Sequence, residues 1–231
     1  MTSPMQSVGP VFESSSCKPV LYNYFRSSSS WRVRIALAMK GIDYEYKAVH
    51  LVKGEQKQDD YKALNPMCVL PTLLIDGLTL TESLPIIEYL DETRPENKIM
   101  PDDPVKRFQS RRIAEIINSG IQPVQNLNVL IRVVELSGDS NYKMKYANEI
   151  ITRGFDAIEP FLKETAGRYC VGDSVSIADI SLVPQVYNAK RYDVDMKKYP
   201  TIARVNDALE ELEAFKKADY KKQPDCPDDL K

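Results

Sequence analysis

Residues 19–41 read PVLYNYFRSSSSWRVRIALAMKG. The first six, 19–24, combine Val, Leu and two Tyr and predict a strand. Trp31, Val33, Ile35, Ala36, Leu37 and Met39 predict a buried helix over 29–40, ended by Gly41. Four serines, 27–30, stand where the strand becomes the helix. Strand followed directly by helix is the start of a βαβ unit.

Working outward, 44–51 (YEYKAVHL) alternates as a second strand, and 57–64 is a short polar helix or turn. Residues 71–80 (PTLLIDGLTL) give two short strands around Asp76-Gly77, a strong hairpin signal. Residues 82–92 (ESLPIIEYLDE) form a helix with Pro85 in its first turn, where a missing N–H costs little. The order β-α-β-α-β-β-α gives a small mixed α/β domain over 18–92, preceded by a Ser/Pro/Gly-containing extension over 1–17 that reads as disordered. Residues 93–103 hold two prolines and no periodicity and read as a linker. Strand signals then stop. Helical periodicity over 104–135, 142–166, 176–190 and 200–217 makes 104–231 an all-helical domain. Ser176-Ile177-Ala178-Asp179 carries a capping-box signature, with Val175 and Ile180 placed for a hydrophobic staple. The last residues, KKQPDCPDDLK, read as a mobile tail.

Composition sets outer limits. The 231 residues are 43% hydrophobic and include 13 Tyr, enough for a substantial core. Thirty-one basic against 33 acidic residues give a net charge of −2, which favours neither nucleic acid nor a membrane surface as partner. No apolar run approaches the roughly 18 residues of a membrane span. The beginning of the chain lacks the basic and apolar regions of a secretory signal. Cysteines at 17, 68, 170 and 226 form no C-x-x-C pair, so neither a zinc site nor a redox dithiol is expected, and a reducing cytoplasm fits. One histidine, His50, excludes multi-histidine metal chemistry within one chain and reads as a strand-end residue.

Three local features carry chemistry. The serines at 27–30 lie at a helix start, where unpaired N–H groups and about half a positive charge attract anions. A hydroxyl there can donate to a thiolate and favour it over the thiol, whose free pKa is about 8.5. The plain alternative is a helix cap. Leu70-Pro71 opens a strand, and a cis bond there would present the Leu70 backbone to an extended peptide. Glu82-Ser83 opens another helix and suits an amino-acid head group, a carboxylate on the Ser side and an ammonium on Glu82. Each is weak alone. Their order in one small domain is suggestive of convergence on one tripeptide.

The stretches YFRSSSSWRVRIALAMKGIDYE, ALNPMCVLPTLLIDG, ESLPIIEYLDETRP, GIQPVQNLNVL, YCVGDSVSIADISLVPQVYNA and Tyr199-Pro200-Thr201-Ile202 are collinear with one known pattern. From about Lys18 onward the chain resembles the zeta class of cytosolic glutathione transferases, the maleylacetoacetate isomerase family. The resemblance implies an α/β thioredoxin-like N-terminal domain followed by an all-α domain that holds a hydrophobic-substrate site. It implies glutathione as cofactor, a homodimer and a small acidic or electrophilic substrate. Ser27 would be the catalytic hydroxyl on the glutathione sulfur. The implied glutathione contacts are Ser27, Ser28, Ser29, Ser30, Trp31 and Arg32 at the first helix, with Gln56, Leu70 and a cis Pro71. Glu82 and Ser83 complete them from the third helix, and Gln122, Asn126, Leu127 and Asn128 from the helical half. Arg191 would pair with a substrate carboxylate. The implied reaction is addition of the thiolate to a cis double bond, rotation, and elimination to the trans product.

The chain departs from the pattern twice. Ser29 stands where the family has a cysteine, which bears on α-haloacid turnover more than on isomerisation. Cys68-Val69 replaces a Lys-Gln pair, so Cys68 is expected near the site as a bystander thiol or a mixed-disulfide partner. Three other readings share or border the scaffold. The first is a detoxifying transferase or peroxidase of broad range. A thiol-transfer enzyme would need a cysteine at the first helix, where Ser27 to Ser30 offer none. A non-catalytic binding module would show a degraded site.

Overall fold

The computed structural model describes residues 18–231, so the expected disorder of 1–17 falls outside the described residues. Strand β1 (Val20–Asn23) pairs in parallel with β2 (Glu45–Ala48), and α1 (Ser28–Met39) makes the crossover between them. After α2 (Asp59–Leu64), β3 (Thr72–Ile75) and β4 (Leu78–Thr81) form the hairpin, with β3 antiparallel to β1. The sheet order is β2-β1-β3-β4. The hairpin turns on Asp76 (φ 54°) and Gly77 (φ 74°), the two positive φ values that an Asp-Gly turn supplies. Helix α3 (Ser83–Thr93) closes this half.

The helical half comprises α4 (Pro104–Glu115), α5 (Leu127–Ser137), α6 (Tyr142–Thr165), α7 (Ile177–Arg191), α8 (Pro200–Glu210) and α9 (Glu213–Ala218). The continuous helical run expected over 104–135 is broken. A π-type turn, Ile116–Ile121, follows α4, and α5 begins only after Asn126, whose side chain caps it. Pro123, which has no N–H to donate, lies in that gap. Gly154 of α6 lets the π turn close, because a Cβ there would sit 2.2 Å from Ile121 Cδ1. The run over 200–217 likewise divides into α8 and α9.

One apolar core joins both halves. Leu21, Ile35, Leu73 and Ile87 pack in the same cluster as Ile113, Phe155, Ile180 and Val205, all fully buried. Each such side chain contributes about 1.5–3 kcal/mol by leaving water. Two buried carboxylates lock the helical half. Asp179 and Ser176 form the expected capping box, and Asp179 Oδ1 also accepts from the Cys170 N–H at 2.8 Å. Glu159 of α6 accepts from the Thr201 and Ile202 N–H groups at 3.0 Å, filling donors that the start of α8 leaves open.

The tail is packed onto the fold as far as Cys226, and residues 227–231 are exposed. Tyr220 stacks against Tyr187 at 4.5 Å, and Gln223 and Cys226 are buried. Aromatic and sulfur surface at 220 and 226 gives the segment apolar area to bury, which outweighs the polar residues between.

Candidate active site

Ser27 is the N-cap of α1, with extended backbone (φ −68°, ψ 115°), and its Oγ accepts from the Ser30 N–H at 3.2 Å. Accepting there leaves the hydroxyl proton free to be donated outward. The cap and the candidate thiol-facing hydroxyl are therefore the same group.

Ser27 lies where two cavities meet. The first, about 190 Å3, is walled by Ser27 and Ser29 from α1, by Gln56, and by Met67, Cys68 and Leu70 ahead of β3. Glu82 and Ser83 at the start of α3 close one end, and Asn118, Gln122, Asn126, Leu127 and Asn128 of the helical half form the far wall. Gln56 is 3% exposed and its Oε1 has no hydrogen-bond partner among the described residues, a buried acceptor in a cavity wall. Glu82 sits at φ 66°, ψ 121°, a backbone conformation that costs a non-glycine residue about 1–3 kcal/mol and that concentrates at ligand sites. The Leu70-Pro71 bond is cis.

The second cavity, about 90 Å3, shares Ser27, Leu51, Gln122, Asn126 and Leu127 with the first. It adds Tyr24, Arg26 and Ser28 on one side and Asn188, Arg191 and Tyr192 of α7 and its end on the other. Two guanidinium-bearing residues in one small chamber suit an anion better than a neutral apolar group.

Five of the residues expected to contact glutathione do not line the first cavity. Ser28 borders the second cavity only, and Ser30, Trp31, Arg32 and Pro71 border neither. The helix turns about 100° per residue, so the positions after Ser29 rotate into the protein. Ser30 and Arg32 are fully buried, and the Trp31 ring stacks 5.6 Å from Tyr187. Arg32 still acts on the cavity wall: its Nη1 donates to Ser83 Oγ at 3.1 Å and to Asn118 Oδ1. Burial pulls its pKa down to about 10, which leaves it a cation at neutral pH behind the start of α3. His50 is a loop residue as expected, its Nδ1 accepting from the Lys53 N–H at 3.3 Å.

Arg26, Asn118 and Asn188 went unsingled in the sequence. Arg26 adjoins the serine run, which is a usable signal. Asn118 and Asn188 look like ordinary helical polar residues until the π turn and α7 bring them in.

Comparison with known proteins now identifies this arrangement. Residues 26–93 match the N-terminal domain, and 133–221 the C-terminal domain, of glutathione S-transferase. The maleylacetoacetate isomerase of Mus musculus is 53% identical over 216 residues, 93% of this chain and 98% of that protein. The chain belongs to the zeta class of glutathione S-transferases. Among solved structures, a bacterial zeta-class maleylpyruvate isomerase superposes with a TM-score of 0.88 at 41% identity, covering 90% of this chain and all of its own. Maleylacetoacetate isomerase from Anaeromyxobacter dehalogenans with bound GSH gives a TM-score of 0.83 at 43% identity, covering 91% and 98%. The same protein has also been solved with dicarboxyethyl glutathione and citrate in its active site. The zeta-class members share the α/β-then-helical organisation described above.

Proposed function

We propose that this chain is a glutathione-dependent maleylacetoacetate isomerase, converting the cis substrate to fumarylacetoacetate in tyrosine and phenylalanine breakdown, with glutathione transferase activity besides. The observation that carries this reading is the position of Ser27, whose free hydroxyl proton borders both cavities at the start of α1. Glutathione fits the first cavity: the unpartnered Gln56 acceptor, the Leu70 backbone, and the open N-termini of α1 and α3 match a tripeptide with an ammonium, two carboxylates and a thiol.

In this reading Glu82 takes the γ-glutamyl ammonium and Ser83, held by Arg32, takes its carboxylate. Asn118, Gln122, Asn126, Leu127 and Asn128 close the cavity from the helical half, so the site needs both 18–92 and 104–231. Ser27 donates to the sulfur, and the partial positive charge of α1 favours the anion further. Bound glutathione supplies a sulfur nucleophile that is returned unchanged, so no oxidant is consumed. Arg191 and Arg26 take the carboxylates of the substrate and hold its double bond beside Ser27. A small chamber carrying two cations favours this diacid over the bulky neutral electrophiles of a broad detoxifying enzyme. Ser29 replaces a thiol without removing the Ser27 donor.

The chain acts as a homodimer in the cytoplasm. An open groove, about 980 Å3, lies away from the chemistry between α3 and α4, bordered by Leu84, Pro85, Pro104 and Phe108. Phe108 and Val105 are each 60% exposed, an apolar face that suits a second copy.

The test is isomerisation of maleylacetone, with and without glutathione, by wild type and Ser27→Ala. A hydrogen bond to a charged group is worth about 1.5–3 kcal/mol, so the variant should lose about 10- to 150-fold. Binding of glutathione without any turnover by the wild type would overturn the assignment in favour of a detoxifying transferase.

A further inference from the structure

The turn that carries Ser27 is held from a distance. The Phe25 N–H, two residues before Ser27, donates to Asp225 Oδ2 at 3.0 Å, across 200 residues of sequence. The Phe25 carbonyl accepts from Arg34 Nη2 at 2.9 Å. The Tyr24 carbonyl accepts from Arg34 Nη1 at 3.3 Å and from the Ser27 N–H at 3.0 Å. Arg34 Nε in turn donates to the carbonyl of Ala218, the last residue of α9, at 3.1 Å. The second oxygen of Asp225, Oδ1, accepts from the Tyr46 hydroxyl on β2.

The segment that delivers Asp225 is itself seated. The Tyr220 ring lies 5.6 Å from Trp31 and 4.5 Å from Tyr187. The Gln223 side chain ties back to the carbonyls of Lys217 (3.2 Å) and Asp219 (2.7 Å). Cys226 is 4% exposed and joins the apolar cluster of Tyr24, Phe25 and Leu70. Tyr24 and Leu70 of this cluster border the cavities, as do Arg26 and Ser27 beside it.

We propose that residues 219–226 form a brace for the nucleophile-activating turn, and that Asp225 is a positioning residue for Ser27. Asp225 borders neither cavity. It acts through the Phe25 backbone, fixing the direction in which the first turn of α1 presents the Ser27 hydroxyl. Arg34 holds the carbonyl face of the same turn, so the peptide groups at 24 and 25 are pinned from both sides. A displacement of this hydroxyl by a fraction of an ångström weakens its bond to a sulfur steeply, because hydrogen bonds are directional. The brace rests on the assignment of Ser27 made above.

Asp225→Ala removes the acceptor for Phe25. Asp225→Asn removes the charge but keeps the bonds: its amide oxygen accepts from Phe25 and its amide nitrogen donates to the Tyr46 oxygen. Each full-length variant is assayed well below its own melting temperature for maleylacetone turnover, and for ionisation of bound glutathione by the ultraviolet absorbance of the thiolate against pH. Asp225→Ala is expected to lower kcat about tenfold and raise the apparent thiol pKa by about one unit, with the KM for maleylacetone little changed. Asp225→Asn should remain within about threefold of wild type. A lower melting temperature with unchanged kcat and thiol pKa would make the contact purely structural and overturn the proposal. Equal losses in Asp225→Ala and Asp225→Asn would assign the effect to charge and overturn it too. Ser27→Ala run in parallel separates the two readings. If Ser27→Ala ionises glutathione and turns over like wild type, the Ser27 assignment fails and the brace with it. If only Asp225→Ala is silent, the brace fails alone.

Discussion

Replacing Asp179 with alanine removes three hydrogen bonds from a fully buried position, because its carboxylate accepts from the Cys170 N–H, the Ser176 N–H and the Ser176 hydroxyl, each at 2.8 Å. The hydroxyl can turn to another acceptor, but the two backbone donors are stranded. A buried unsatisfied donor costs about 1–3 kcal/mol, so two cost about 2–6 kcal/mol. Part of that is recovered, since burial already raises the pKa of Asp179 and its removal relieves the desolvated charge. The net expectation is a loss of about 2–4 kcal/mol. Ser176→Ala removes the acceptor for the Ala178 N–H and one of the three donors to Asp179, strands no backbone donor of the Asp179 carboxylate, and should cost about 1 kcal/mol. In urea, with a slope near 3 kcal/mol per M for a chain of this size, the midpoints should fall by about 1 M and about 0.3 M respectively. The double variant should lose less than the sum, because the two side chains bond each other. Protein concentration is held fixed so that subunit association does not shift the midpoint. An Asp179→Ala midpoint no lower than that of Ser176→Ala, or strict additivity, would refute this account of the cap.

Two further outcomes follow from the site and the groove. Arg191→Ala should raise the KM for maleylacetone about 10- to 100-fold, the loss of one charged hydrogen-bond pair, while leaving the ionisation of bound glutathione as in wild type; a shifted thiol pKa with unchanged KM would remove Arg191 from substrate binding. Phe108→Glu places a charge on the exposed apolar face between α3 and α4 and should convert the proposed dimer to monomer by sedimentation; a variant that is dimeric like wild type would move the proposed subunit contact to another face.

Much of the frame is legible along the chain because it depends on near neighbours. The Asp76-Gly77 turn, the Ser176 capping box and the strand-to-helix change at the serine run are each settled within a few residues by backbone sterics and local donors. Ser27 could be singled out as cap or as thiol donor, and it is the local bond to Ser30 that allows it to be both. The sequence also determines that the chain alternates strands and helices and then turns to helices alone, since the 2- and 3.6-residue periods are written directly in its apolar positions.

What tertiary structure decides is what meets across distance. Helical rotation takes Ser30, Trp31 and Arg32 out of the cavity that Ser27 and Ser29 border, and only packing against α3 and the π turn turns Arg32 into the support of Ser83 and Asn118. Arg26 and Arg191 come to line one chamber because α7 packs against α1. The tail KKQPDCPDDLK reads as mobile because its local bonds, such as those of Gln223 to Lys217 and Asp219, do not tie it to the rest of the fold; the partners that seat Asp225 and the adjoining Tyr220, namely Phe25, Tyr46 and Trp31, lie about two hundred residues away in the chain. Periodicity records which face of an element is apolar, and only the packed fold fixes which other face it finds.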